Sequence, residues 1–251
     1  MTEPALATRG LQKHFGALVV ANGIDFVLEA GARHALIGPN GAGKTSFVNL
    51  VTGALAPSAG RVLLAGEDVT HLSRTQRVKR GLARTFQITT LFRGLSVLEN
   101  VALAIREHAG HAWQFLRPAG TRIEVIEGAY AVLERLGLAD EGARLVRELS
   151  YGRQRLVEIA VALALEPKVL LLDEPAAGVP GDESRFIIEA VEDLPAEIAV
   201  LIIEHDMDLV FRVARRITVL VQGSVLVEGS PAEISQDARV REVYLGERAV
   251  R

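Results

Sequence analysis

The sequence predicts an α/β fold with an antiparallel β edge and an inserted α-helical subdomain. Three observations carry this. Residues 169–172 and 199–203 are bare apolar runs of the kind that make strands buried on both faces of a parallel sheet, and residues 186–194 between them have helical spacing. A short strand over residues 33–37 runs straight into Gly38-Pro39-Asn40-Gly41, after which the apolar positions turn helical at Phe47, Leu50, Val51 and Leu55. The middle of the chain carries helical patterns only. Residues 89–165 therefore read as a helical subdomain set into a core made of residues 1–88 and 166–251.

The remaining elements follow in order. Residues 18–28 are rich in Val, Ile and Phe and stop at Glu29-Ala30-Gly31; residues 61–65 form another short strand before Gly66. Ser96-Val97-Leu98-Glu99 is a capping box that opens a helix to about Glu107. Residues 123–138 carry an apolar stripe at Ile123, Ile126, Tyr130, Leu133 and Leu136 or Leu138, and residues 151–165 form a further helix stopped before Pro167. Residues 217–221 and 224–227 flank Gln222-Gly223 as a hairpin. Ser230-Pro231-Ala232-Glu233 is a second capping box, with proline at the first helical position. No internal repeat, linker or low-complexity tract interrupts these elements.

Composition narrows the function. The chain has 251 residues, 49% hydrophobic and 24% charged, which fits a folded chain with a sizeable core. Twenty-eight basic against 31 acidic residues give a net charge of −3, so nucleic acid is not expected as a partner. With no cysteine, disulfides, thiolate metal sites and cysteine nucleophiles are excluded. The first residues lack the pattern of a secretory leader, and no apolar run approaches the length of a spanning helix. The chain is therefore not expected to cross a bilayer by itself; a place against a membrane protein stays open.

Gly38-Pro39-Asn40-Gly41-Ala42-Gly43-Lys44-Thr45 matches the full phosphate-loop pattern, with Ser46 following. Glycines let the loop turn its N–H groups onto an anion, and the following helix adds its positive end. Lys44 can reach the β- and γ-phosphates, and the Thr45 hydroxyl can ligate Mg²⁺. The apolar run at 169–172 ends in Asp173-Glu174: the first carboxylate suits Mg²⁺, the second can take a proton from water. Ser150 and Gly152 open a helix about 20 residues earlier, where N–H groups are uncovered; an ordinary N-cap serine explains Ser150 as well. Among the histidines, His14, His34, His71, His108 and His111 form no ligand set.

Taken together, these residues resemble the ATP-binding subunits of ABC transporters over nearly the whole chain. Gly38 to Thr45 corresponds to that family's Walker A motif, Leu149-Ser150-Tyr151-Gly152-Arg153-Gln154 to its signature motif, and Asp173 with Glu174 to the end of Walker B. Gln87, in Arg84-Thr85-Phe86-Gln87, matches the Q-loop glutamine, His205 the switch histidine, and Phe15 the aromatic placed against adenine. The resemblance implies a RecA-like phosphate-loop NTPase core that takes ATP and Mg²⁺. Nucleotide contacts fall on Phe15, Gly38, Asn40, Gly41, Ala42, Gly43, Lys44, Thr45 and Ser46, with Ser150 and Gly152 covering a partner's ATP. Metal contacts fall on Thr45, Gln87 and Asp173. Catalytic roles fall on Glu174, His205, Gln87 and Lys44.

Several stretches resemble one subgroup, the importers of branched-chain and other hydrophobic amino acids: Gly81-Leu82-Ala83-Arg84-Thr85-Phe86-Gln87, Leu98-Glu99-Asn100-Val101, Glu174-Pro175-Ala176-Ala177-Gly178, Glu204-His205-Asp206-Met207 and Arg241-Glu242-Val243-Tyr244-Leu245-Gly246. That resemblance implies two transmembrane permease subunits, a second ATPase subunit (a copy of itself or a paralogue), indirect contact with an external substrate-binding protein, and a peripheral place on the cytoplasmic face of the membrane. Residues 89–120 mix exposed-looking apolar and basic groups, Leu91, Phe92, Arg93, Trp113, Phe115 and Arg117; of these Phe92 and Arg93 are expected to dock on the permease, while Trp113 fits a small core of the helical subdomain equally well. The lipopolysaccharide-export ATPase and a soluble ABC-type ATPase of cofactor assembly remain open alternatives; a phosphate-loop kinase leaves residues 150–154 unexplained. Two departures stand out. Arg153 takes the usual place of glutamine in the signature, and Pro180 arrives one position early in the segment after Walker B, where it removes a backbone donor.

Overall fold

The computed structural model describes residues 3–85, 91–109 and 119–248. Strands β1 (Leu6–Phe15) and β2 (Leu18–Leu28) pair as a hairpin, and β3 (Arg33–Ile37) leads to helix α1 (Lys44–Thr52). Next come β4 (Ala59–Leu64), the two-residue β5 (Glu67–Asp68), α2 (Arg74–Val78) and β6 (Leu82–Arg84). Helices α3 (Val97–His108), α4 (Ala119–Arg135) and α5 (Tyr151–Leu163) fill the stretch before β7 (Val169–Asp173). The chain continues through α6 (Gly181–Glu192), β8 (Ala199–Ile203), α7 (Met207–Val213), β9 (Arg216–Val221), β10 (Ser224–Gly229), α8 (Pro231–Gln236) and α9 (Ala238–Arg248).

Two sheets result. One has the order β2-β1-β4-β5 and is antiparallel; the other has the order β10-β9-β3-β8-β7-β6 and is parallel except for β10 at its edge. In β7 and β8 side chains alternate between two cores. Val169, Leu171, Leu201 and Ile203 face α1 and the antiparallel sheet, with Leu6, Phe26, Phe47 and Leu50. Leu170, Leu172, Val200 and Ile202 face the other side, with Val97, Leu133, Leu156 and Ile187. Burial on both faces is what the bare apolar runs encode.

Some elements escape the sequence pattern. β1 pairs on both sides but shifts register around Gly10, which has φ 54°, so its alternation is broken. α2 has five residues, too few for a period, although Ser73 and Gln76 close a capping box. Its Arg77 is buried and donates to the carbonyls of Leu50, Val51, Thr70 and Leu72, covering the carbonyl end of α1. The stripe expected on α4 is half right: Leu133 is buried with Leu136 and Leu138 beyond the helix, but Ile123, Ile126 and Tyr130 are exposed. The helix turns Ala129 and Leu133 inward instead. α1 ends at Thr52 rather than Leu55, because Gly53 takes the left-handed conformation. Among the described residues no helix is long and apolar enough to cross a membrane.

His34 links β3 to the sheet edge. It is buried, its ring packs 4.9 Å from that of Phe26, and its Nε2 lies 2.8 Å from Thr218 Oγ1. The Thr218 hydroxyl is donated to Glu228 Oε2 at 2.9 Å, so it accepts from His34, which is neutral with its proton on Nε2. Burial lowers the His34 pKa from 6.5 to about 4, opposed by Glu228 and assisted by Arg216. The unfolded chain takes up this proton near pH 6.5 and the folded chain only near pH 4. The contribution is therefore complete above pH 6.5 and lost as pH falls toward 4, in total about 3 kcal/mol. Urea unfolding at pH 7 and pH 4.5 should show the wild type losing stability over this window, and the loss should be smaller in His34→Gln.

Candidate functional site

The phosphate loop spans the gap between β3 and α1. α1 starts after Gly43, whose φ is 102° and which offers no side-chain cap, so the first N–H groups of the helix face the loop. Gly43 is also required by its neighbours: a Cβ there would lie 2.6 Å from the Val20 carbonyl oxygen. Gly38, at φ 154°, would overlap the Leu220 carbonyl in the same way. The loop is held from outside by Gly223 N–H, donated to Ala42 O at 2.8 Å, while Gly223 O accepts from Asn22 N–H at 2.8 Å. It thus sits wedged between β2 and the β9–β10 turn. Lys44 Nζ reaches back to the carbonyls of Gly38 at 2.5 Å and Pro39 at 3.0 Å. Asn40, Gly41 and Thr45 are exposed, Ser46 is half-buried and Ala42 is buried.

The carboxylates stand at the end of β7. Asp173 is buried and takes Arg84 Nη2 on its Oδ2 at 2.5 Å; Arg84 Nη1 also donates to Asn49 Oδ1 at 2.9 Å. Glu174 has φ 47°, a left-handed conformation that costs a non-glycine residue of order 1 kcal/mol. Its N–H is tied to Ile203 O at 2.9 Å. Strain of this kind re-aims the side chain away from the strand direction. His205, at the end of β8, is exposed and brings Nδ1 to 3.8 Å from Glu174 Oε1. Asp206 caps α7, accepting from the N–H groups of Asp208 and Leu209.

Beneath them lies Glu204, whose side chain is 1% exposed. Its Oε2 accepts from the N–H groups of His205 at 3.0 Å and Asp206 at 3.3 Å, and its Oε1 from Ala176 N–H at 3.3 Å. Burial raises the Glu204 pKa, and these three bonds oppose the rise.

Ser150 is the N-cap of α5, accepting from Arg153 N–H at 3.4 Å. Its hydroxyl and the Gly152 N–H both donate to Glu183 Oε2, at 3.1 and 2.8 Å. A Cβ at Gly152 would overlap this carboxylate, so glycine is what admits it. Pro180 is the N-cap of α6 and contributes no side-chain cap. Arg153, in the place of the usual glutamine, stacks over the Phe186 ring at 5.0 Å and pairs with Glu141 at 3.8 Å. Phe15 ends β1; the residue is 53% exposed, and Lys13 Nζ lies 4.9 Å from the centre of its ring. Gln87 lies outside the described residues.

The structure thus brings Asp173, Glu174 and His205 to the carboxyl ends of adjacent strands, which β3 joins with the phosphate loop. Three further residues went unseen in the sequence. Arg84 registers there only as a flank of Gln87, and its pairing with Asp173 spans 89 residues. Glu183 carries no motif. Glu204 reads as a flank of His205, although a carboxylate directly after a buried strand is itself a sign of an occupied interior position.

Comparison with known proteins agrees with this arrangement. The sequence profile of the ABC transporter family matches residues 21–177, and that of the branched-chain amino acid ATP-binding cassette transporter matches residues 224–250. The high-affinity branched-chain amino acid transport ATP-binding protein LivG of Salmonella typhimurium is 38% identical over 98% of this chain and 100% of its own length. BraF of Pseudomonas aeruginosa, with the same description, is 37% identical over the same shares. Of solved structures, a nucleotide-free ATP-binding cassette from an ABC transporter superposes with a TM-score of 0.84, at 31% identity over 96% of this chain and 98% of its own. The ADP conformation of the cassette MJ1267 gives 0.84 at 32% identity, over 97% and 99%. With its phosphate loop, strand-end carboxylates and signature helix in the family's order, the chain belongs to the ABC transporter family as one of its ATP-binding subunits.

Proposed function

We propose that the chain hydrolyses ATP to drive an importer of branched-chain or other hydrophobic amino acids. The observation that carries the reading is the match of residues 224–250 to the branched-chain profile, together with relatives of that description aligned end to end. The core divides as residues 1–88 and 166–251, with residues 89–165 as the lever that meets the permease.

ATP is the substrate. Its phosphates are received by the N–H groups of residues 38–46 and the start of α1, with Lys44 swinging from its own loop carbonyls to the β- and γ-phosphates. Phe15 offers an exposed face for adenine. The donor set fits Mg²⁺: a hydroxyl, an amide and a carboxylate, oxygen ligands only and few of them from protein. Thr45, Gln87 and Asp173 would hold it, and when bound it supplies charge neutralisation between the phosphates. Glu174 orients the attacking water and accepts its proton, and His205 steadies the γ-phosphate. Ser150 and Gly152 cover the ATP of a second ATPase subunit packed head to tail, which makes ATP the link between them.

The permease contact is assigned to the loop before α3. Phe92 is 62% exposed and Arg93 is exposed too. Asn100 holds this loop through Phe92 N–H at 2.9 Å and Phe92 O at 3.1 Å, and Arg93 O accepts from Arg147 N–H at 3.2 Å. Leu91, expected on the same surface, is instead buried against the helical core, where it anchors the loop. Trp113, Phe115 and Arg117 lie outside the described residues. Two transmembrane permease subunits, an external substrate-binding protein reached through them, and a peripheral position on the cytoplasmic face complete the assembly.

Glu174→Gln should bind ATP, accumulate an ATP-dependent dimer and hydrolyse about a hundredfold or more slowly; near-normal turnover would remove Glu174 from the base role. Lys44→Ala should weaken ATP binding by about tenfold or more in titration calorimetry, since a charge-assisted contact is lost. Phe92→Ala with Arg93→Ala should keep ATP binding and copurify poorly with the permease; transport at full rate would rule this contact out.

A further inference from the structure

We propose that Glu204 is a positioning residue that fixes the Glu174 carboxylate and the His205 imidazole relative to each other for hydrolysis. The proposal rests on the hydrolytic reading of Glu174 and His205. Those two residues sit on separate segments. The pairing of β7 with β8 ends at Asp173 opposite Ile203, and beyond it the Glu174 N–H to Ile203 O bond is the last backbone tie between the strands.

The Glu204 side chain supplies the next tie. One carboxylate oxygen holds the segment after β7 at Ala176 N–H; the other holds the segment after β8 at His205 and Asp206 N–H. A buried carboxylate is costly unless it is fully hydrogen-bonded. Its presence at 1% exposure therefore marks a position where both oxygens are used. The chemistry is specific to an acid. A hydroxyl has one oxygen and spans one segment only. An amide turns an NH₂ group toward an N–H and forfeits one side of the bridge. The same Oε2 lies 3.7 Å from His205 Nδ1, and Glu174 Oε1 lies 3.8 Å from that nitrogen. The ring thus presents its Nδ1 edge to two carboxylates, which leaves Nε2 as the nitrogen for the phosphate.

The test is ATP turnover by the purified full chain, in wild type, Glu204→Gln, Glu174→Gln and the double variant, with thermal midpoints for each. Glu204→Gln should lose about tenfold in kcat with KM within about twofold, because a small misplacement costs the chemical step and not phosphate binding. In the Glu174→Gln background the added Glu204→Gln change should cost clearly less than the roughly tenfold it costs alone, since Glu204 acts in part through Glu174. Should Glu204→Gln not fold, Glu204→Asp, one methylene short of the bridge, should give the same split between kcat and KM. Wild-type turnover in a folded variant, losses that multiply in the double variant, or a rise in KM as large as the fall in kcat would overturn the proposal. Slow Glu174→Gln with normal Glu204→Gln removes the positioning role alone. Normal turnover in Glu174→Gln removes the hydrolytic reading and the positioning role with it.

Discussion

A sheet buried on both faces admits charge only where its strands end, and this constraint organises the molecule. β7 and β8 bury every residue, one core on each side, so polar chemistry is pushed to their termini. At the carboxyl ends of β3, β6, β7 and β8 stand the phosphate loop, Arg84, Asp173 with Glu174, and Glu204 with His205. Parallel pairing sets those ends side by side. That is the general reason why ligands of open α/β sheets gather at this edge.

Charges at the edge are costly to bury and are matched locally. Asp173 has Arg84, Glu204 has three backbone N–H groups, and Lys44 has two loop carbonyls. Arg84 in turn uses Asn49 from α1, so the acid on β7 is linked through one guanidinium to the helix that carries the phosphate loop. Removing either partner of the Arg84–Asp173 pair would leave the other charged and poorly solvated, a heavier loss than the pair's own net worth.

Much of this was legible in the sequence, for a physical reason. Residues 38–45 are contiguous because one loop must wrap one anion, and the runs at 169–172 and 199–203 are apolar because both faces are covered. What stayed hidden is side-chain pairing across distance. The Arg84–Asp173 pair spans 89 residues, and Glu183 reaches Ser150 across 33. β1 was hidden by its register shifts, and α2 by its shortness. On α4 the apolar residues at Ile123, Ile126 and Tyr130 imitate a core stripe that the packing does not use. Gln87, Trp113, Phe115 and Arg117 fall outside the described residues.

The wedge around Gly43 has a consequence for the order in which the protein forms. The loop's shape depends on Val20 in β2, on Gly43 itself and on Gly223 in the turn after β9, pieces brought together from both ends of the chain. Contacts so distant in sequence cannot form until both of their ends have been made, although their closure entropy grows only slowly with separation. A nascent chain that has emitted residues 38–45 therefore holds the motif without this support. The bond from Gly223 N–H to Ala42 O is made only when the hairpin near the far terminus docks, so the loop is braced by one of the last parts of the core to be synthesised.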